Sequence, residues 1–295
     1  MTFVTYFYRK LFTSILFVLF FVSIGGCVRM GVNLLGAPMV SHMVNNISQT
    51  SNVRLVKEGL AGQVLLATSI TEMSPDNLDL LTETSFLYCA YGLFIEDEDP
   101  EYAKELYSLG KEYGIRALKQ DYRFKKGLES GDKISVLANS LSRKYADALC
   151  WTGINGGLFI ILNLDDPGAL IELADIITMV KRSITLDEDY FHGVGKVFLG
   201  AYYALVPSYL GLGGGEDNSR KMFQKARKIS DNHFLLVDLF EARFLATMIE
   251  DESLFDRKLK QVLSADPSVL KQARLINELS KVKARHYLLN KSNYF

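Results

Sequence analysis

The chain has 295 residues, 48% of them hydrophobic and 23% charged, enough apolar material for a sizeable buried core. Its 33 Lys plus Arg against 34 Asp plus Glu leave a formal net charge of −1. The basic excess with which nucleic-acid binders neutralise phosphates is missing, so no nucleic-acid partner is expected.

Arg9 and Lys10 precede an apolar run from Leu11 to Ile24. A membrane-spanning helix takes about 20 apolar residues; this shorter run has the dimensions of a signal-peptide hydrophobic region. Ile24-Gly25-Gly26-Cys27 follows and resembles a bacterial lipobox. Its small residues let the chain lie extended in a peptidase cleft, and the Cys27 thiol takes the diacylglyceryl group. Residues 1–26 are then a signal peptide and Cys27 the lipidation site. The mature protein would be periplasmic and held on a membrane by its lipid. A secretory signal cut elsewhere, or a plain membrane anchor, is the alternative. Residues 27–56, with Gly31, Gly36, Pro38 and several Asn and Ser, read as a tether and a poorly periodic lead-in.

Residues 57–295 read as one helical domain. Leu80, Leu87, Tyr91 and Phe94 share a helical face, as do Tyr102, Leu106, Leu109, Tyr113 and Ala117. Val194, Phe198, Ala201 and Leu205 repeat the spacing, and so do Leu275, Leu279, Val282 and Leu289. No run of alternating β-branched residues stands between turn signals. Asp99-Pro100, Asp166-Pro167 and Asp266-Pro267 each offer an N-cap acceptor followed by proline at the first helical position, so each predicts a helix start. A spacing of small or apolar, three residues, apolar, two residues, small or apolar recurs at Ala103/Tyr107/Gly110, Ala169/Leu173/Ile176, Ser219/Phe223/Ala226 and Phe255/Leu259/Val262. The last two copies start 36 residues apart, near the tetratricopeptide (TPR) period of about 34. The expected fold is all-α: stacked antiparallel helical hairpins in irregular TPR-like repeats, an α-solenoid. Residues 119–142 are the expected insertion.

Enzymatic constellations are missing from the sequence. His42, His192, His233 and His286 are scattered, without a second ligand at helical spacing, so no zinc site is expected. There is no G-x-S-x-G, and Cys89 and Cys150 lack the context of a nucleophile. Both fall within helical apolar patterns, where free buried thiols are ordinary, although a bridge is open to them in an oxidising compartment. Gly211–Gly215 lacks the Gly-Lys-Ser/Thr of a P-loop and reads as a turn between helices. Glu96-Asp-Glu-Asp-Pro-Glu101 lacks calcium-loop spacing and reads as a solvated helix start. Neither a cofactor nor a catalytic residue is expected.

Several segments in order resemble one family, the TRAP transporter T-components. They are Ser74-Pro75-Asp76-Asn77 with Leu80-Leu81, Tyr88, Ala90-Tyr91 and Phe94; Ala103 to Gly110 with Tyr113-Gly114 and Arg116-Ala117-Leu118; and Ala148 to Trp151. His192-Gly193, Tyr202-Tyr203, Pro207, Leu212-Gly213-Gly214, Phe223 and Ala226 follow, then Arg274-Leu275, Asn277 and Ala284 to Leu289. The resemblance spans about residues 58–290. It implies a periplasmic lipoprotein that accompanies a solute-binding protein and a membrane permease. It also implies a homo-oligomer, a trimer, and a hydrophobic small ligand, with no enzymatic residues. A TPR scaffold of outer-membrane or cell-envelope assembly is the alternative.

Aromatic side chains with polar tips suit the concave face or channel of a helical stack. Trp151, Asn155, Phe159, Tyr190, His192, Tyr202 and Tyr203 are therefore the candidate channel-lining residues, with core packing the competing role for about half of them. Gly153, Gly156 and Gly157 within one helix predict a close approach by a helix, a ligand or a partner subunit.

Overall fold

Side-chain caps set where the helices begin. The computed structural model describes residues 31–210 and 213–295; Cys27 and the lipobox lie outside the described residues. A π-helical turn, Val32–Gly36, runs into α1, Ala37–Ser48. Helical structure thus reaches into the segment expected to be tether and lead-in. The caps Asn52, Asn77, Asp99 and Asp121 then accept backbone N–H groups at the starts of α2 (Val53–Met73), α3 (Leu78–Ile95), α4 (Pro100–Leu118) and α5 (Tyr122–Glu129), satisfying donors that a helix leaves orphaned. α6 (Ile134–Ser140) follows, then α7 (Ala146–Ile161), α8 (Leu173–Leu186) and α9 (Tyr190–Leu205). The chain ends with α10 (Glu216–Ile229), α11 (Leu236–Phe240), which continues as a π-helical segment Glu241–Ala246, α12 (Glu252–Ser264) and α13 (Arg274–Leu289). The described residues contain no strand, so the all-α expectation holds.

Neighbouring helices pair through small residues. On α3, Gly92 receives the ring of Tyr107 from α4, and the Ser85 hydroxyl donates to the Gly110 carbonyl at 2.7 Å. α9 and α10 repeat the device: Gly200 receives Phe223, and the Ser219 hydroxyl donates to the Gly200 carbonyl at 2.7 Å. The recurring spacing marks this buried face, since Ala103, Tyr107, Ser219, Phe223, Ala226, Phe255, Leu259 and Val262 are all 0% exposed. The three glycines of α7 are explained by neighbouring helices. A Cβ on Gly153 would come within 2.5 Å of Val180, one on Gly156 within 2.7 Å of Ile176, and one on Gly157 would enter the Phe198 ring. Regular repetition is broken by the α5–α6 hairpin, by the π-helical stretches and by a left-handed turn at the start of α9. That turn runs through Phe191, His192 and Gly193, with φ of 43°, 58° and 79°. A side chain on Gly193 would also press Ile229 at 2.7 Å.

Two expectations need correction. Asp266-Pro267 does not start a helix. The Asp266 carboxylate accepts the Ser268 N–H at 2.9 Å and its hydroxyl at 2.7 Å, so it closes a turn on itself, and α13 begins only at Arg274. The acidic run at 96–101 is not all solvated either. Glu96 is 5% exposed, accepts from Tyr107 at 2.9 Å, pairs with Arg243 and pairs with Lys283 at 3.1 Å. Asp97 pairs with Lys283 at 2.5 Å. Two cations brought in from beyond residue 240 turn the head of that run inward, which no local pattern announces.

Candidate functional site

α3, α7, α9, α11 and the start of α13 converge on one apolar cavity. Phe86, Cys89, Leu93 and Phe94 come from α3, and Trp151, Ile154 and Leu158 from α7. Phe191, Val194, Val197 and Phe198 come from α9, Leu236 and Phe240 from α11, and Leu275 and Ile276 from α13. Ala90, Ser48, Gln272 and Ala273 complete the wall. Its enclosed volume is about 80 Å³, within about 750 Å³ of space that runs out into solvent. The bore is therefore narrow, and its lining offers almost nothing to a polar ligand.

A second, polar cavity of about 740 Å³ empty volume adjoins it, lined by Ser41, Val44, Leu78, Asp79, Thr82, Glu83, Lys144, Asp147 and Tyr190. Phe86, Trp151 and Phe191 line both cavities. Their ring centroids lie 4.7 Å (Phe86–Trp151), 5.5 Å (Phe86–Phe191) and 5.2 Å (Trp151–Phe191) apart. They form a three-ring partition. The Trp151 indole N–H donates to the Tyr190 hydroxyl at 2.7 Å, which fixes the indole at that junction. Burial pushes the Glu83 carboxyl above its ordinary pKa, and the negative charges of Asp147 and Asp79 add to this. Asp147 is raised to about 6, by desolvation first and then by Asp187 and Asp79.

Of the residues selected from the sequence, the structure brings Trp151 and Tyr190 together at this junction. The other five line neither cavity. Asn155 is 0% exposed and donates to the Ser85 carbonyl at 3.0 Å and the Trp151 carbonyl at 2.9 Å, tying α7 to α3. Phe159 lies at the end of α7 with the Lys111 ammonium 5.9 Å from its ring. His192 occupies the left-handed turn against Phe234, 5.6 Å away, and burial lowers its pKa. Tyr202 and Tyr203 are buried neighbours with ring centroids 5.4 Å apart. Sequence reasoning missed Phe86, Phe191 and Phe240, because only the tertiary fold turns them toward one space.

Cys89 and Cys150 are unbridged and buried. Burial raises both thiols, Cys150 to about 12, so thiolate is scarce near neutral pH. Ellman's reagent should detect neither in the native protein and both in denaturant; rapid native reaction would show that these walls open readily.

Among the described residues, no group of three or more His, Cys, Asp or Glu side chains is placed to hold a metal ion, and no helix is long and apolar enough to cross a membrane. The fold and cavity define a protein that is all-helical in its described residues and has an apolar cavity among its helices. The chain belongs to the TRAP transporter T-component family, whose model matches residues 49–295. It is also similar to an uncharacterized protein of Treponema pallidum (strain Nichols), with 23% identity over 198 residues, 65% of this chain and 60% of that protein. The matched region therefore spans about 60% of the relative's length.

Proposed function

We propose that the chain is the lipid-anchored T-component of a TRAP-type solute uptake system. In this reading the mature protein starts at Cys27, the helical domain docks the periplasmic solute-binding protein, and the apolar cavity holds a hydrophobic ligand. The energy of transport comes from the ion-coupled permease. The narrow apolar cavity supports the ligand role, because its lining suits an apolar guest and offers little to a polar one.

Native mass spectrometry of the delipidated protein, alone and with the cognate solute-binding protein, tests both halves. The expected result is a complex at micromolar concentration and a co-purifying apolar mass. Absence of the complex would overturn the docking role, and an empty cavity after mild extraction would overturn the ligand role.

We assign self-association to α2. Its inner face buries Val56, Leu60, Val64, Ala67 and Thr71. Leu55, Gly59, Gly62, Leu66 and Met73 form a second stripe, on which Leu55 is 63%, Leu66 44% and Met73 51% exposed. Their steps of four, three, four and seven residues are those of a helix that pairs with copies of itself. Leu66→Glu should dissociate the oligomer in light scattering while leaving the melting temperature of the monomer within a few degrees; an intact oligomer would move the interface elsewhere.

A further inference from the structure

The apolar cavity stops at three aromatic rings, and beyond them the chemistry reverses. Resting on the ligand-holding reading above, we propose that the guest is an amphiphile with one slender apolar chain and a cationic, amine-bearing head. The chain lies in the apolar cavity, and the head lies in the acidic vestibule across Phe86, Trp151 and Phe191.

The apolar side excludes a charged head. Its wall carries two polar side chains, Ser48 and Gln272, and an ion moved there from water loses solvation that nothing replaces. The vestibule offers the reverse. Asp79, Glu83 and Asp147 line it with a single cation, Lys144. The Lys144 ammonium sits 4.8 Å from the Tyr145 ring. The nearby Arg143 is held by Asp187 at 3.0 Å. Glu83 accepts one hydrogen bond, from Ser41 at 3.0 Å, and Asp147 is hydrogen-bonded by Tyr190. Among the described residues, neither carboxylate has a cation within salt-bridge distance. Carboxylates alone on a surface would mark nothing. Here the apolar cavity shares the same three rings, so the acids sit directly beside an apolar space. Burial first, and then the charges of Asp147 and Asp79, raise Glu83, and a bound ammonium offsets both through charge-assisted hydrogen bonds. An anionic head would add a further negative charge to the same mouth.

Trp151 is the single tryptophan of the chain and belongs to the partition, so its fluorescence reports occupancy directly. The full domain is titrated near neutral pH with dodecylamine, dodecanol and dodecanoate, each below its aggregation threshold. These probes share one chain length and differ in head charge. The expected order is amine tightest, by about tenfold over the alcohol, with dodecanoate weakest. In Glu83→Gln and in Asp147→Asn, each checked for a native melt, the amine-to-alcohol ratio falls toward one. Equal affinity for the three probes, a preference for dodecanoate, or a ratio untouched by both substitutions would overturn the head-group assignment while leaving the cavity a lipid site. Binding of none of the three would overturn the ligand-holding reading itself.

Discussion

Replacing Glu96 with alanine is expected to cost about 3–5 kcal/mol of folding stability, because it leaves two buried cations without their shared partner. Arg243 and Lys283 reach Glu96 from the π-helical segment after α11 and from α13, and Lys283 is 4% exposed. In a chain of this size the loss lowers the melting temperature on the order of 10 °C. Differential scanning calorimetry would show it; a shift of only a degree or two would mean that Asp97 alone carries the pair. The same group sets an acid limb. Burial works to raise the Glu96 pKa, yet the attraction and hydrogen bonds of Arg243 and Lys283 outweigh it and hold it at about 2. A folded pKa below the unfolded value of 4.5 gives stability that is fully present above that value. It is lost as pH falls toward 2. In Glu96→Gln this part of the acid dependence should vanish, which denaturant titrations at stepped pH would resolve.

Gly157→Leu should be nearly as damaging, at about 3 kcal/mol, the upper end of the range for overpacking. A Cβ there falls inside the ring of Phe198, which is 2% exposed and helps to wall the apolar cavity. The ring has one escape, into the cavity. The gain of about 1 kcal/mol in helix propensity over glycine offsets only part of the strain. Reduced stability should therefore come with loss of apolar-probe binding, read by Trp151 fluorescence. Gly156→Leu is the milder neighbour, since it meets the ends of Ile176 and Lys111, which can swing aside. Equal melts for Gly157→Leu and the native chain would sink the packing account.

The helical class was written in local chemistry. Asp99 caps the helix its sequence context announces, and the spacing around Tyr107 and Phe223 marks a face that is buried. The α7 glycines announced a close neighbour without saying which of three kinds it was. The cavity was less legible. Trp151 and Tyr190 stand out as amphipathic aromatics, whereas Phe86 and Phe240 look like any core residue until helices far apart in sequence converge. Phe191 and His192 were hidden for another reason. A left-handed backbone at non-glycine residues costs roughly 1–3 kcal/mol each and persists only where the surroundings impose it. Propensity therefore argues against such a turn. Asn155 was misleading because a fully buried amide that ties helices together has the same composition as one that greets a ligand.

The bond between Lys283 and Glu96 joins positions separated by 187 residues. A polypeptide that emerges N-terminus first, from a ribosome or through a membrane pore, holds Asp97 without its counter-ion, and Glu96 with Arg243 alone, until α13 arrives. Such distant closure is slow to find. It also works as a completion check: a chain cut short before α13 leaves Asp97 unpaired and Glu96 with Arg243 alone, favours the open state, and presents itself to proteases rather than to partners.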